Sequence, residues 1–441
     1  MLILFGTILL VLYFWLCSFN IKLGLVVLLV LSPIIPVTFA LDFGNAIPLM
    51  TLSRLLLLDF LFAFLVRVSV GKNRFANSQL LKPIVLVGVA FFLSNLLSNA
   101  TTRRSWFEYF SYLTEDFLFF VVALSVGLTE RHAKILLKGL VLAAILVSLI
   151  AVVEMVTGSN PFLVVAEAGK RADLIYNYSG QVRFGSGRLE SVFRNPIQFG
   201  EYMALIVPYV GYFLWKAKSL GAQLMAVLSL AGCLFGIISA FSRSPIYEIM
   251  ISGASLAILL GKQKKLILFG GVAAFAMILL LPSTVWQYLV LSIIDPSSLS
   301  YEISGSSMAS LLLVTANHIA LWLQHPFFGI GFATLPPDSE KYSWVLYGRG
   351  EQAYTYLLVE TGILGLTTFL YFFWSSLRKL VDNFRAVQKG FVAEFSILTA
   401  SAFVGYLFVS DLNGMWNLSF VLGLVAVALN LGNKRRAISS A

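Results

Sequence analysis

Cysteine is almost missing from this chain. Its 441 residues hold two, Cys17 and Cys233, each inside an apolar run. A disulfide framework or a cysteine-based metal site therefore finds no support. Histidine is as scarce: His132, His318 and His325 fall into no H-E-x-x-H or other ligand spacing. Charge is the third shortage. Charged residues make up 12%, against roughly 25% in a soluble domain. Hydrophobic residues make up 59%, and mean hydropathy is +0.88. A water-soluble globule of this length would leave large apolar patches in water. A disordered chain would need the opposite composition. What the sequence has in abundance is long apolar runs, so the bilayer is its solvent.

A membrane span needs about 20 mostly apolar residues. Such runs occur near 2–18, 22–41, 50–70, 83–99, 105–127, 136–157, 196–215, 220–241, 243–260, 265–282, 353–376, 391–411 and 415–431. The fold expected is an all-α polytopic membrane protein of about twelve to fourteen transmembrane helices, with thirteen the best count. The first run has neither a basic flank nor a small-residue cleavage site, so it reads as a span and not as a cleaved signal.

Lysine and arginine orient the spans. Alternate connections carry Lys22; Lys72, Arg74 and Lys82; Arg131, Lys134 and Lys138; Lys216 and Lys218; Lys262, Lys264 and Lys265; Arg378, Lys379, Arg385 and Lys389; and Lys434, Arg435 and Arg436. With Arg67 these are 20 of the 31 basic residues. The positive-inside rule makes these segments, and the C-terminus, cytoplasmic. The formal net charge of +10 thus reflects anchoring, and no nucleic-acid partner is expected. An odd number of spans puts the N-terminus outside.

The other basic residues lie on or near the outer face: Arg54, Arg103, Arg104, Lys170, Arg171, Arg183, Arg188, Arg194, Arg243, Lys341 and Arg349. Nine of these eleven are arginine. Anchoring does not explain charge on that side. Arginine offers a planar fork of donors that fits phosphate and carboxylate, so the outer face reads as built to hold an anion. Two outer segments, 158–195 and 283–352, are longer than a connector needs, and long loops are usually functional. The second holds SMASLLLVTANHIALWLQ, expected to be a helix on or dipping into the outer membrane surface. Neither an internal inverted repeat nor a pair of broken spans is legible.

Three outer patches stand out. Arg188-Leu-Glu-Ser-Val-Phe-Arg194-Asn195-Pro196 leads into a span and continues to Glu201. Ser242-Arg243-Ser244-Pro245 opens another. His325-Pro-Phe-Phe-Gly329-Ile-Gly331 is followed by Glu351-Gln-Ala-Tyr354 and then Glu360-Thr-Gly362-Ile-Leu-Gly365. Over roughly residues 185–370 this order resembles the O-antigen ligase and polymerase superfamily of integral membrane glycosyltransferases. Members show an Arg before an Asn-Pro at a span start and Ser-Arg at a later outer boundary. They show Pro-x-x-Gly-x-Gly in the large outer loop, then a polar pair and Glu-x-Gly-x-x-Gly.

The resemblance implies a GT-C-like enzyme of the bacterial inner membrane, with a large periplasmic loop carrying short helices and its active site facing the periplasm. It implies a metal-independent transfer, without cofactor, of an undecaprenyl-diphosphate-linked oligosaccharide to a glycan acceptor. A chain-length regulator and a flippase are the partners it implies. Arg188 and Arg243 match the family's diphosphate-binding arginines. Glu351 stands where ligase-like members have the catalytic His, and Gln352 where they have the following Asn. A carboxylate at that place is more like the polymerase branch. His318 stands where relatives often carry another Arg. Arg183, Arg194, Asn195 and Arg349 join it, with Gln352 and Tyr354, as substrate-binding candidates. Arginines would stabilise the growing charge on the leaving diphosphate more in the transition state than in the ground state. Glu351 is the candidate general base for the acceptor hydroxyl. No D-x-D or acidic cluster in the outer loops offers a metal in their stead.

Each residue also has a plainer reading. Arg188 and Arg194 also read, as the lesser alternative, as ligands of outer-leaflet lipid phosphates. Arg243 reads as a structural partner of Glu248 or Glu201, Glu351 as a solvated loop residue, and Glu360 as a turn former. His318 and His325 read as packing residues, and Gly329 and Gly331 as turn residues. Glu115 and Asp116 lie inside the fifth span, as a proton path, a substrate pocket or an internal polar network. Trp286, Tyr342, Trp344, Tyr347 and Tyr354 are available to stack on sugar rings. Three functions follow: polymerisation of lipid-linked repeat units, ligation of a finished glycan to a lipid or protein, or transport of a lipid-linked glycan. Broken helices and midplane charge would mark the transporter.

Overall fold

A computed structural model describes residues 2–41, 50–76, 78–99, 101–163, 165, 182–183, 186–260, 308–335, 353–387, 390–409 and 415–439. Among them regular structure is helical apart from two short strand pairs, β1 (Ala40–Leu41) with β2 (Met50–Thr51) and β3 (Val182–Arg183) with β4 (Ser186–Gly187). The helices are α1 (Leu2–Phe19), α2 (Ile21–Leu31), α3 (Leu52–Ser69), α4 (Leu81–Leu97), α5 (Arg103–Tyr112), α6 (Phe119–Ser125), α7 (Glu130–Thr157), α8 (Pro196–Lys216), α9 (Leu220–Ser239), α10 (Ser244–Leu260), α11 (Met308–Gln324), α12 (Ala353–Val387), α13 (Phe391–Val409) and α14 (Met415–Ser439). Twelve of the thirteen expected spans fall on these helices, and the one expected over 22–41 is helical only across Ile21–Leu31. The expected span 265–282 lies outside the described residues. The span expected over 105–127 is α5 and α6 joined by a π-helical turn, Leu113–Leu118.

Polar residues at the expected places start these helices. Asn20, Thr51, Asn195 and Ser219 each accept a hydrogen bond from the backbone N–H three residues on, satisfying a donor the helix leaves open. Thr102 and Ser105 form a reciprocal capping box at α5. Pro196 occupies the first turn of α8, where its missing N–H costs nothing.

Four helices are long and apolar enough to cross a membrane: Glu130–Thr157, Leu220–Ser239, Tyr354–Val387 and Phe391–Val409. Shorter apolar segments are Gly6–Phe19, Ile21–Leu31, Leu81–Leu97, Ser244–Leu260 and Leu418–Gly432. Large apolar side chains stand exposed along the bundle, among them Phe19, Val156, Ile258 and Phe408, each at least 70% exposed. This is the surface of an all-α protein embedded in lipid.

α8 is the hub of the bundle's middle, packed against α7, α9, α10 and α13. Phe199, Tyr202, Met203, Ile206 and Tyr209 are buried on it. Small residues permit the close approach. A methyl at Gly200 would meet Pro245 and Ala240, one at Gly236 would meet Met203 and Phe199, and one at Gly405 would meet Ser252 and the Glu248 backbone. Such contacts replace the hydrophobic drive that lipid does not supply.

The chain sorts its charge between the two ends of this bundle. At one end, Lys216 closing α8 pairs with Glu394 at 2.8 Å near the start of α13, and Lys134 lies over the Phe391 ring. At the other end meet the close of α7, the openings of α8 and α10, the close of α9, the start of α12 and the close of α13. Arg188 and Arg243 belong to this second, arginine end.

Candidate functional site

The 186–195 segment is shaped by the residues around it. Arg188 is buried, and its Nε donates to the Ala240 carbonyl at 2.8 Å. Leu189 N donates to Ser239 O at 3.3 Å. The Glu154 carboxylate, in the last turn of α7, accepts from the backbone N–H groups of Glu190 and Ser191, the latter at 2.7 Å. Asn160 Nδ2 donates to Ser191 O, and Ser191 Oγ donates to Val147 O. These contacts hold Ser191 at φ 56°, a left-handed conformation that a non-glycine residue adopts only when its surroundings impose it.

Beside Glu154, the Glu190 carboxyl is also buried, and its Oε2 has no hydrogen-bond partner. Burial pushes it up to about 9, the Glu154 carboxylate adds to the rise, and the Arg188 guanidinium opposes it. At pH 7 Glu190 is therefore mostly in its neutral, protonated form.

Arg243 sits on the turn that Arg188 grips. Ala240 caps α9, Phe241 takes φ 44°, and Ser242 and Arg243 lead into α10. The Arg243 carbonyl accepts from Ile246 and Tyr247, and its side chain is half-buried. The two arginines thus flank one strained turn. Of the two structural partners expected for Arg243, Glu248 makes no hydrogen bond through either carboxyl oxygen, and the pairing with Glu201 stands.

A third strained residue, Ala333 at φ 57°, belongs to the His325–Gly331 patch. That patch is stitched into a break in α12, where Gly362 leaves helical geometry at φ 65°, ψ −173°. Ile330 N donates to Val359 O, Gly331 N to Glu360 O, Ile363 N to Pro326 O and Leu364 N to Phe327 O. The Glu360 carboxylate accepts from Ala333 N at 2.9 Å and Leu335 N at 3.0 Å. Ser94 Oγ donates to the Glu360 carbonyl, and Ser98 Oγ to that of Ile330. Glu360 is thus a structural clamp, as its plainer reading held. Gly329 and Gly331, both at positive φ, are turn residues. The absence of broken spans in the sequence reading is corrected: α12 is interrupted. The local signal was Glu-Thr-Gly, but only the partner strand of backbone makes a break tolerable.

The remaining expected site residues divide. Arg194 is exposed. Asn195 Oδ1 accepts from Gln198 N and so is occupied as the α8 cap. Tyr354 Oη donates to the Leu407 carbonyl, tying α12 to α13. His318 is buried on α11, its Nδ1 3.4 Å from Thr355 Oγ1. Arg183 contributes its backbone to β3. Arg349, Glu351 and Gln352 lie outside the described residues.

Arg54 leaves the set of anion-binding candidates. Its Nε is 2.7 Å from Glu115 Oε2, and Ser111 bridges both partners. Glu115 accordingly belongs to an internal polar network. Asp116, next to it in the π-helical turn, is fully buried. The single-turn π-helix re-aims side chains within a span, a feature common at functional sites.

The sequence reading missed a cluster beneath the arginine end. Glu201 of α8, Glu248 of α10 and Tyr406 of α13 are all buried, and Gly405 lets α13 close onto Ser252 and the Glu248 backbone. The only sequence signal was a lone carboxylate in each of two apolar runs. Among the described residues no group of three His, Cys, Asp or Glu is placed to hold a metal ion. Comparison of the chain with family models, with curated proteins and with solved structures gives no match.

Proposed function

We propose that the protein is a GT-C-like membrane glycosyltransferase that polymerises undecaprenyl-diphosphate-linked oligosaccharide repeat units on the outer side of the bacterial inner membrane. The observation that carries this reading is the pair of arginines, Arg188 and Arg243, on either side of one turn at one end of the bundle. In the proposed reaction an acceptor hydroxyl attacks the anomeric carbon. Its O–H bond breaks with the proton passing to a general base, for which Glu351 is the candidate, a new C–O bond forms, and the diphosphate leaves with the electron pair of the old C–O bond. Attack opposite the leaving group inverts the anomeric centre. Guanidinium donors facing the departing oxygens would contribute about 2.7–4 kcal/mol each, the scale of an oxyanion-hole donor. Neutral Glu190 supports this, since an ionised carboxylate there would compete for Arg188.

The transporter reading gains one observation, the interrupted α12. In that architecture the open N-terminus of a half-helix faces the substrate. Here its N–H groups at Ile363 and Leu364 are taken by the carbonyls of Pro326 and Phe327. The break is filled by backbone, which favours the enzyme.

Purified protein in vesicles, supplied with lipid-linked oligosaccharide, should yield a ladder of multiples of the repeat unit. A single addition to a different acceptor would make it a ligase. Movement of the substrate across the bilayer without a new glycosidic bond would make it a transporter. Arg243→Gln should abolish the ladder with folded protein retained; an undiminished ladder from that variant removes Arg243 from the site.

A further inference from the structure

A carboxylate is out of place in the last turn of a helix. The carbonyls there carry partial negative charge, so an acid costs stability where a base would add it. Glu154 occupies that position in α7 and is buried there. What offsets the mismatch comes from another segment. Glu154 Oε2 accepts from Ser191 N at 2.7 Å and from Glu190 N at 3.2 Å. Two successive backbone N–H groups aimed at one oxygen form a nest of the kind that holds anions. In this chain one of its own side chains fills it.

The surroundings keep the nest in shape. Gly158 ends α7 in the left-handed region at φ 70°, and just beyond it Asn160 Nδ2 donates to Ser191 O at 2.8 Å. Ser191 Oγ donates to Val147 O at 2.7 Å, and Val192 O accepts from Val37 N at 3.1 Å. At its other end the segment is fastened to α9. Arg188 Nε and Leu189 N donate to Ala240 O and Ser239 O, carbonyls of the kind a helix end leaves open. The stretch 188–191 therefore runs from the end of α9 to the end of α7. Ser191 at φ 56° keeps that conformation only under such a hold.

We infer that Glu154 is a positioning residue for the donor site: by filling the nest it imposes the Glu190–Ser191 backbone, and that backbone sets where Arg188 presents its guanidinium to the departing diphosphate. This rests on the glycosyltransferase reading for the diphosphate. Glu154 takes no part in the bond changes.

Two replacements separate the hydrogen bonds from mere filling of space. Glu154→Gln keeps a carbonyl oxygen able to stand where Oε2 stands. Glu154→Met fills similar space with a flexible apolar chain and accepts next to nothing. Hydrogen exchange on the purified full-length protein reads the hold without any substrate. The Glu190 and Ser191 amides should exchange about tenfold faster in Glu154→Met than in wild type. Glu154→Gln should stay near wild type, with the α8 amides slow in all three. Equal exchange in the Met and Gln variants overturns the hold.

Transfer reads the positioning. Glu154→Met should lower kcat about ten- to a hundredfold, the cost of a misplaced group, and keep the KM for the lipid-linked donor within about twofold. Glu154→Gln should retain most of kcat. Adding Glu154→Met to Arg188→Gln should cost nothing further, because both changes act through one guanidinium. Losses that multiply, or a Met variant as active as the Gln variant, overturn the positioning role. Should Glu154→Met fail to fold, Glu154→Asp, whose oxygens stop one methylene short, takes its place in both assays. A wild type that transfers no sugar ends the glycosyltransferase reading and the role in transfer with it, while exchange still decides the hold.

Discussion

Glu190 is the residue whose chemistry is most exposed to test. Its carboxyl is held near 9 in the folded protein, against about 4.3 in an unfolded chain. The folded state therefore binds an extra proton between those values, and stability falls as pH rises through that window. Glu190→Gln removes the term. Thermal unfolding in detergent should lose less stability for the variant than for wild type between about pH 5 and 9; parallel losses would show that Glu190 does not titrate late. Arg188→Gln should be the less clean test of function. It removes the bond to Ala240 as well as a charge, at about 1–3 kcal/mol of stability for a charge-assisted bond. The residue scale is also where sequence reading was weakest. Arg188 and Arg243 were legible as motifs, because arginine on the outer side has no anchoring role. Glu201 and Glu248 were legible only as partners for Arg243, since a carboxylate in an apolar run says nothing of what other helices place beside it. Arg54 illustrates the converse: its type suggested an anion site, and its neighbour turned out to be Glu115.

At the scale of the element, α12 and α8 make opposite predictions for the same substitution. Gly362→Ala puts a Cβ on a residue at φ 65°, against the Phe327 carbonyl. It should cost about 1–3 kcal/mol in backbone strain alone and unseat the 326–331 segment. Gly211→Ala, inside α8 with nothing near its Cβ, should gain about 0.5–1 kcal/mol. Unfolding midpoints of the two variants in one detergent check both signs together; a destabilised Gly211→Ala would contradict the packing described for α8. Helix positions were legible throughout, because apolar runs of span length and capping residues are local signals. The π-helical turn and the break in α12 were not. Both depend on who satisfies the freed backbone groups, and that partner is remote in sequence.

For the whole molecule, the arrangement of charge sets sidedness. Both native thiols, Cys17 and Cys233, are buried, so an impermeant maleimide should leave wild-type protein unlabelled in intact cells. Arg194→Cys, exposed at the arginine end, should label from outside. Lys218→Cys, exposed at the lysine end, should label only after the membrane is permeabilised. The reverse pattern would invert the proposed orientation and take the lipid-linked donor to the other leaflet. At this scale lipid as the solvent was readable in advance, since composition alone excludes water; the alternation of lysine-rich connections supplies the orientation that the labelling tests.

The clamp between Glu360 and the Ala333–Leu335 backbone has an evolutionary corollary. Its carboxylate and its two backbone donors come from segments about 25 positions apart in the chain. The two sides must therefore change together: a lineage that loses the Glu360 carboxylate has to find another acceptor for both N–H groups or give up the turn.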